Sequence, residues 1–284
     1  MRFVRCAAWV MAAGTCLWAS AAEAQQRPLV TEDPETIGAG LILVEGGIDS
    51  FRDVIFPVSG LQGNLLRFPS LGVSIGISSI AELQIDGGPY QRLAITDRFP
   101  APMAHLVTAT GDTTSDVQDL IIATKIRLAP ETAGRPAIGI RLATRLPNAG
   151  NESGLGRDTM DFHVSALLGK TVESIRVVGN IGVAILTDPT VGGRQNDVMT
   201  YGVSLARAVA EGVEVVGEIN GHLNLRDQDL PPGTESSGAM RVGGRFTRGT
   251  VRLDGAVIIG MTSRDPSFGL TAGFTWVFRG FTLP

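Results

Sequence analysis

The chain has 284 residues, 24 Lys and Arg against 28 Asp and Glu, a net charge of −4, 36 glycines and only 2 cysteines. No basic block points to nucleic acid, and no uninterrupted apolar run of about 18 residues follows the N-terminal stretch, which excludes transmembrane helices. An alternating, glycine-rich chain of this kind is either a soluble β-protein or a membrane β-barrel.

Residues 1–24 read as a secretory signal peptide. Arg2 and Arg5 supply its basic start, an apolar stretch follows, and Ala22-Glu23-Ala24 is a small-x-small cleavage site. Both cysteines, Cys6 and Cys16, fall inside it, so the mature chain is expected to carry no disulfide and no thiol chemistry. Residues 25–36 are polar and proline-bearing and are predicted to be a periplasmic lead-in. Residues 37–284 are predicted to form the barrel.

Residues 37–49 form the first predicted strand, with Ile37, Ala39, Leu41 and Leu43 on one side and glycine plus Ile42 and Val44 on the other. A loop over 50–64 holds Pro57. Residues 65–78 set Leu71, Val73, Ile75 and Ile77 against Gly72, Ser74, Gly76 and Ser78. Residues 81–95 set Leu83 and Ile85 against Glu82, Gln84 and Asp86, and a long connection over 96–114 follows. Strands are then predicted over 116–128 (Lys125 and Arg127 opposite Ile126 and Leu128), 135–146 (Arg141 and Arg145 opposite Leu142 and Leu146) and 157–168 (Asp161 and His163 opposite Phe162 and Val164). The strand over 172–187 carries Arg176 and Asn180 opposite Val177 and Ile181.

Residues 196–210 and 211–226 make the next hairpin. Its second strand alternates most cleanly, with Glu214, Glu218, Asn220, His222 and Arg226 opposite Val215, Ile219 and Leu223. Residues 238–247 carry Arg241 and Arg245, and residues 250–262 carry Arg252 and Asp254. Residues 268–278 close the series with Phe268, Leu270, Ala272, Phe274, Trp276 and Phe278 on one parity. A period of two throughout means strands, about twelve of them.

Tight turns alternate with longer Gly, Pro, Asp and Asn-rich connections, the pattern of outer-membrane barrels, with both termini on the tight-turn, periplasmic side. One face carries charge and the other small aliphatics, with aromatics near strand ends, which suits a lipid-facing band. The predicted fold is therefore all-β: a transmembrane antiparallel up-and-down barrel in the bacterial outer membrane.

From Asp119 onward the chain also resembles a known family. The stretches are Gly134-Arg135-Pro136-Ala137-Ile138, Gly154-Leu155-Gly156-Arg157 leading into Asp161-Phe162, Gly179-Asn180-Ile181-Gly182, Tyr201-Gly202-Val203, Glu218-Ile219-Asn220 and the closing 270–278. They are similar to the outer-membrane transporter family labelled "MetA-pathway of phenol degradation". The resemblance implies a barrel and a channel or transport role, sometimes beside aromatic-degradation genes, and no enzymatic activity. Such barrels usually end on an aromatic residue, whereas residues 279–284 follow Phe278 here.

The predicted lumen-lining residues are Arg127, Arg141, Arg145, Asp161, His163, Arg176, Glu214, Glu218, Asn220, His222, Arg226, Arg241, Arg245, Arg252 and Asp254. No catalytic, metal or cofactor site is expected. His163 and His222 are read as lumen side chains, with no nucleophile motif beside them. The charged face leaves two readings open: a selective eyelet, or a plug of salt bridges in a barrel between the roughly eight strands whose interiors fill and the 16–18 of open porins. The expected function is a narrow channel for passive movement of small solutes, including hydrophobic or aromatic ones. The alternatives are a structural or surface-binding barrel with a blocked lumen and, third, an outer-membrane hydrolase. Expected partners are outer-membrane lipid, the barrel-insertion machinery and an unidentified small solute. A wet lumen also implies that Arg is better tolerated at Glu218 than at Ile219.

Overall fold

The computed structural model describes residues 27–226 and 229–282; the expected signal over 1–24 lies outside them. Fourteen strands follow one another: β1 (Leu41–Phe56), β2 (Leu61–Gly76), β3 (Ala81–Gly87), β4 (Gln91–Arg98), β5 (Thr113–Asp116), β6 (Leu120–Ala129), β7 (Ala137–Leu146), β8 (Asp161–Val172), β9 (Ile175–Thr187), β10 (Gln195–Ala210), β11 (Val213–Asn224), β12 (Ser237–Arg248), β13 (Val251–Gly260) and β14 (Phe268–Arg279). All pairings are antiparallel, and β14 returns to β1 over a register running from Leu41↔Arg279 to Arg52↔Phe268. The sheet is a closed barrel, so its wall has no free edge. β3 and β4 both lie against β2 and form one stave broken at 88–90, while β5 and β6 form the next, broken at 117–119. The fourteen strands thus make twelve staves.

The faces follow the alternation. On β11, Val215 and Ile219 are 50% and 44% exposed on the outer face, whereas Val216 and Glu218 are buried within. On β14, Leu270, Phe274 and Trp276 stand outward, and Thr271, Thr275 and Val277 are buried. Outer rows of Val, Ile, Leu and Phe recur on β8, β9, β10, β12 and β13. No helix among the described residues is long and apolar enough to cross a membrane.

Four expectations are corrected near the N-terminal half. The predicted loop over 50–64 is strand for most of its length: β1 runs on to Phe56 and β2 starts at Leu61. The reason is an inward apolar cluster, in which Leu61, Leu65, Leu93 and Leu155 are buried and Phe51, Val54 and Phe56 pack on them. The predicted strand over 81–95 is interrupted, and β4 extends to Arg98. The pairing register is the same on both sides of the breaks, with Asp86↔Ile121 and Gln91↔Asp116, but the irregular residues between them turn the strands over, so the inward parity changes from Asp86 to Leu93 and from Thr114 to Ala123. Backbone groups there stay satisfied, because Gln118 N donates to Gly88 O at 2.9 Å, Gln118 Nε2 to Tyr90 O at 3.1 Å, and Phe68 N to Tyr90 O at 3.2 Å.

The fourth correction concerns 25–36. Its described part, 27–36, is not an outside lead-in but lies within the barrel, against lumen side chains. At the other end, Gly280 N and Phe281 N both donate to Gly40 O, at 2.9 and 3.3 Å. The tail beyond Phe278 therefore extends the β14–β1 seam.

Candidate functional site: a lumen crossed by the N-terminal segment

The segment 27–40 makes one circuit of the inner wall before entering β1. Arg27 Nη2 donates to Thr271 Oγ1 of β14 at 2.9 Å, its Nε lies 3.5 Å from Asp254 of β13, and its carbonyl accepts from Arg245 Nε of β12 at 2.8 Å. On β11, Glu218 accepts from the backbone N–H groups of Val30, at 2.8 Å, and Thr31. On β9, Asn180 bonds the Glu32 backbone twice, receiving its N–H at 2.7 Å and donating to its carbonyl at 2.8 Å. Arg176 of β9 forks onto Asp33 at 2.6 and 2.8 Å. Lys125 of β6 reaches Glu32 at 3.2 Å, Arg127 pairs with Glu35, and Glu82 of β3 accepts from Ile37 N at 2.8 Å. The backbone polar groups of an extended segment are thus satisfied by wall side chains rather than by a sheet.

The wall is shaped for this segment. At Gly202 of β10 an added Cβ would come within 2.7 Å of Thr31 Oγ1. Gly139 of β7 and Gly169 of β8 flank Pro34, where a Cβ would stand 3.2 and 3.0 Å from its ring.

Electrostatics reinforce the fit. Lys125 and Glu82 have fully buried side chains 3.0 Å apart, and Arg141 adds a 3.3 Å contact to Glu32 and a 2.7 Å hydrogen bond to Gln84. Buried charges are tolerated only when paired and hydrogen-bonded. The network meets that condition by combining wall and segment.

The predicted lumen residues fall as follows. Arg127, Arg141, Arg176, Glu218, Arg245 and Asp254 contact the segment as described. Arg241 donates to Glu218 at 2.7 Å and to Asn220 at 2.6 Å. Glu214 lies 3.9 and 3.7 Å from Arg245 and Arg252. Arg145 joins Asp119, at 2.5 Å, to Asp161, which also accepts from Arg157 and from Thr187 N at 3.0 Å. His163 and His222 both line one cavity, and His222 Nε2 lies 2.7 Å from the Glu235 carbonyl. Arg226 is the exception: β11 ends at Asn224, so Arg226 sits exposed in the following connection, where its N–H donates to Asn224 Oδ1 at 2.9 Å. The expected tolerance of Glu218 is also corrected, since its side chain has no solvent exposure.

Lumen residues absent from the prediction are Glu45, Asp49, Arg67 and the segment's own Arg27, Glu32, Asp33 and Glu35. Alternation places Lys125 with Arg127 and Glu82 with Asp86 on the polar face, and both are buried in the lumen.

Among the described residues, three cavities border the segment. One of about 380 Å³ lies at the tight-turn end, between Arg176, Glu214, Arg245 and Arg252. Two of about 370 and 510 Å³ lie further toward the long connections, the first around Arg67 and Asp49, the second around Tyr201, His222 and Arg241. Leu29 borders both the first and second, and Thr31 both the first and third. A single thickness of chain therefore separates them.

At the long-connection end, 147–160 folds inward. Ser59 Oγ donates to Gly154 O at 2.7 Å and Thr114 Oγ1 to Ser153 O at 2.8 Å, while Leu155 seats on Leu61, Leu65 and Leu93. Asp265, between β13 and β14, accepts from Ser237 Oγ at 2.5 Å, Gly238 N at 3.0 Å and both Thr262 N and Oγ1 at 2.9 and 2.7 Å. Burial alone would raise its pKa, but these hydrogen bonds outweigh it and hold the carboxyl below its ordinary value.

Among solved structures, the chain is similar to the COG4313 outer membrane channel from Pseudomonas putida F1, at 16% identity and a TM-score of 0.58, over 87% of this chain and 98% of that one. It is also similar to the NanC porin, at 8% identity and a TM-score of 0.51, over 83% and 98%. The fold is that of the outer-membrane β-barrels. At these identities the likeness speaks for fold alone. No family model and no curated protein matches the chain, so the phenol-degradation family label rests on the sequence resemblance only.

Proposed function

We propose that the chain is a channel of the bacterial outer membrane, passing small solutes passively through a lumen narrowed by its own N-terminal segment. The observation that carries this reading is the thinness of the barrier: one strip of chain, 29–31, parts a polar cavity at the tight-turn end from two beyond it. A barrel meant only as a scaffold has no need of cavities of several hundred Å³ on both sides of so thin a partition. The outer band of exposed Val, Leu, Ile and Phe suits acyl chains, and Trp276 and Phe274 suit the interface. β1 begins and β14 ends at the same rim, paired Leu41↔Arg279; in this reading that rim faces the periplasm, and the strand seam is what the insertion machinery handles. The printed names of the two similar structures, a channel and a porin, favour the same role. Apolar lining at Phe51, Leu167 and Ile258 within the 510 Å³ cavity favours solutes with an apolar body.

A second reading has its own observation. The ion pairs around Glu32, Lys125 and Glu82 and the inward connection 147–160 are what a blocked structural or surface-binding barrel would carry. Planar-bilayer recording and liposome flux separate the two. The channel gives small discrete conductances that grow when 27–36 is deleted. Folded protein with no conductance and no flux, in full-length and deleted forms alike, leaves the structural barrel.

A further inference from the structure

The segment carries its charges in an order that mirrors the wall. Its cation, Arg27, lies against Asp254, with its N–H 3.5 Å from Glu45. Its anions, Glu32, Asp33 and Glu35, lie on the other side, against Lys125 and Arg127 of β6, Arg141 of β7 and Arg176 of β9. These four cations occupy one continuous arc of wall. The carboxylates the wall itself brings to them are Glu82, Asp86 and Glu131. Counting Lys170, which lies 3.3 Å from Glu131, five cations against three carboxylates leave the arc at +2 without the segment; the segment's three anions take it to −1.

Sealing a lumen does not require such pairs. Apolar residues of similar volume hold a buried site at least as well as ion pairs do. The charges are therefore better explained by what the arc does when the segment is not on it. The arc also joins the cavities: Arg141 borders the 510 Å³ space and Arg176 the 380 Å³ space. Val30, Phe51 and Ile258 line the same cavity as Arg141, apolar surface in one space with a cation.

We propose that Lys125, Arg127, Arg141 and Arg176 form an anion site for small organic carboxylates with an apolar body, and that Glu32, Asp33 and Glu35 are resident carboxylates that compete for it. The carboxylate of an incoming solute takes the Arg141 position while its body lies on Phe51 and Ile258. It passes to Arg176 as Asp33 gives way. This rests on the channel reading for its passage step, but not for its binding step.

The test uses the full-length chain refolded in detergent and the triple variant Glu32→Gln, Asp33→Asn, Glu35→Gln, with benzoate and succinate as probes in calorimetric titration. With the competing charges gone and the cations kept, benzoate is expected to bind about tenfold tighter than to the unaltered chain, and succinate less tightly than benzoate. Adding Arg141→Gln and Arg176→Gln abolishes the gain. In planar bilayers under a KCl gradient, the reversal potential of the triple variant shifts toward chloride. Equal benzoate affinity with and without the three carboxylates overturns the proposal. Tighter benzoate binding with no ion current from any form upholds the anion site and removes the channel reading instead. If the triple variant does not refold, Asp33→Asn alone is measured: about threefold tighter benzoate binding supports the site, and unchanged binding overturns it.

Discussion

Replacing Lys125 with Ala should be among the most damaging single changes in the barrel. The ammonium has no solvent exposure and lies 3.0 Å from Glu82 and 3.2 Å from Glu32. Its loss leaves two carboxylates facing each other across an emptied site. Glu82 keeps only neutral donors, Ile37 N at 2.8 Å and Gln84 Nε2 at 2.9 Å, and Glu32 keeps Arg141 at 3.3 Å. Removing one member of a buried ion pair costs about 3–5 kcal/mol, chiefly because the partner's charge stays buried and uncompensated. The retained Arg141 places the expected value toward the lower end. Glu32→Gln in the Lys125→Ala background then relieves the repulsion, so the two changes should couple by roughly 1–3 kcal/mol. The assay is urea titration of protein refolded into lipid vesicles, followed by the fluorescence of Trp276, the one tryptophan outside 1–24. An unchanged midpoint for Lys125→Ala, or additive effects of the two substitutions, would refute the reasoning, since Glu32 and Lys125 would then not share a site.

Two further outcomes are expected. Ile219→Arg places a cation on the outer face and should cost roughly 2–4 kcal/mol at mid-depth, but Glu218→Arg should cost at least as much, because it removes the acceptor for two segment N–H groups and sets a cation beside Arg241; refolding yield by heat-modifiable gel mobility ranks the two, and easy tolerance at 218 would contradict the filled lumen. Asp265 ionises more readily folded than unfolded, so its contribution is complete above the unfolded value of about 3.9 and is lost as pH falls through the lower folded value; urea midpoints should fall below about pH 4 more steeply in the unaltered chain than in Asp265→Asn, and equal slopes would refute the assignment.

The wall was largely legible from alternation, because the two-residue period survives wherever a stave is unbroken. β11 and β14 read correctly for that reason. Alternation failed where the staves are broken, at 88–90 and 117–119, since the irregular residues there exchange inside for outside while the pairing register continues. It also failed where apolar residues point inward. Leu61, Leu65 and Leu93 are buried against Leu155, and nothing in their local pattern distinguishes them from residues facing lipid. The lumen was legible only as a polar face. The segment 27–36 has no period and reads as a loop. Its partners lie far along the chain, such as Thr271 for Arg27 and Glu218 for Val30, and only the closed barrel brings them together. Arg226 was misplaced for a plainer reason: the parity of β11 continues two residues past the end of its hydrogen-bonded ladder.

The account stands or falls on the segment lying inside the barrel, and one covalent probe reads that directly. A Cβ at Gly202 would stand 3.5 Å from Cβ of Thr31, at the short end of the roughly 3.5–4.5 Å that a disulfide spans. The only native cysteines, Cys6 and Cys16, lie within 1–24, so in protein expressed without 1–24 Thr31→Cys with Gly202→Cys gives a single pair. Air oxidation of the folded double variant should produce an intramolecular disulfide joining peptides 171 residues apart, seen by mass spectrometry after digestion and absent from either single variant. Folded double variant that keeps both thiols free, and labels them at the rate of an exposed cysteine, would place the segment outside the lumen.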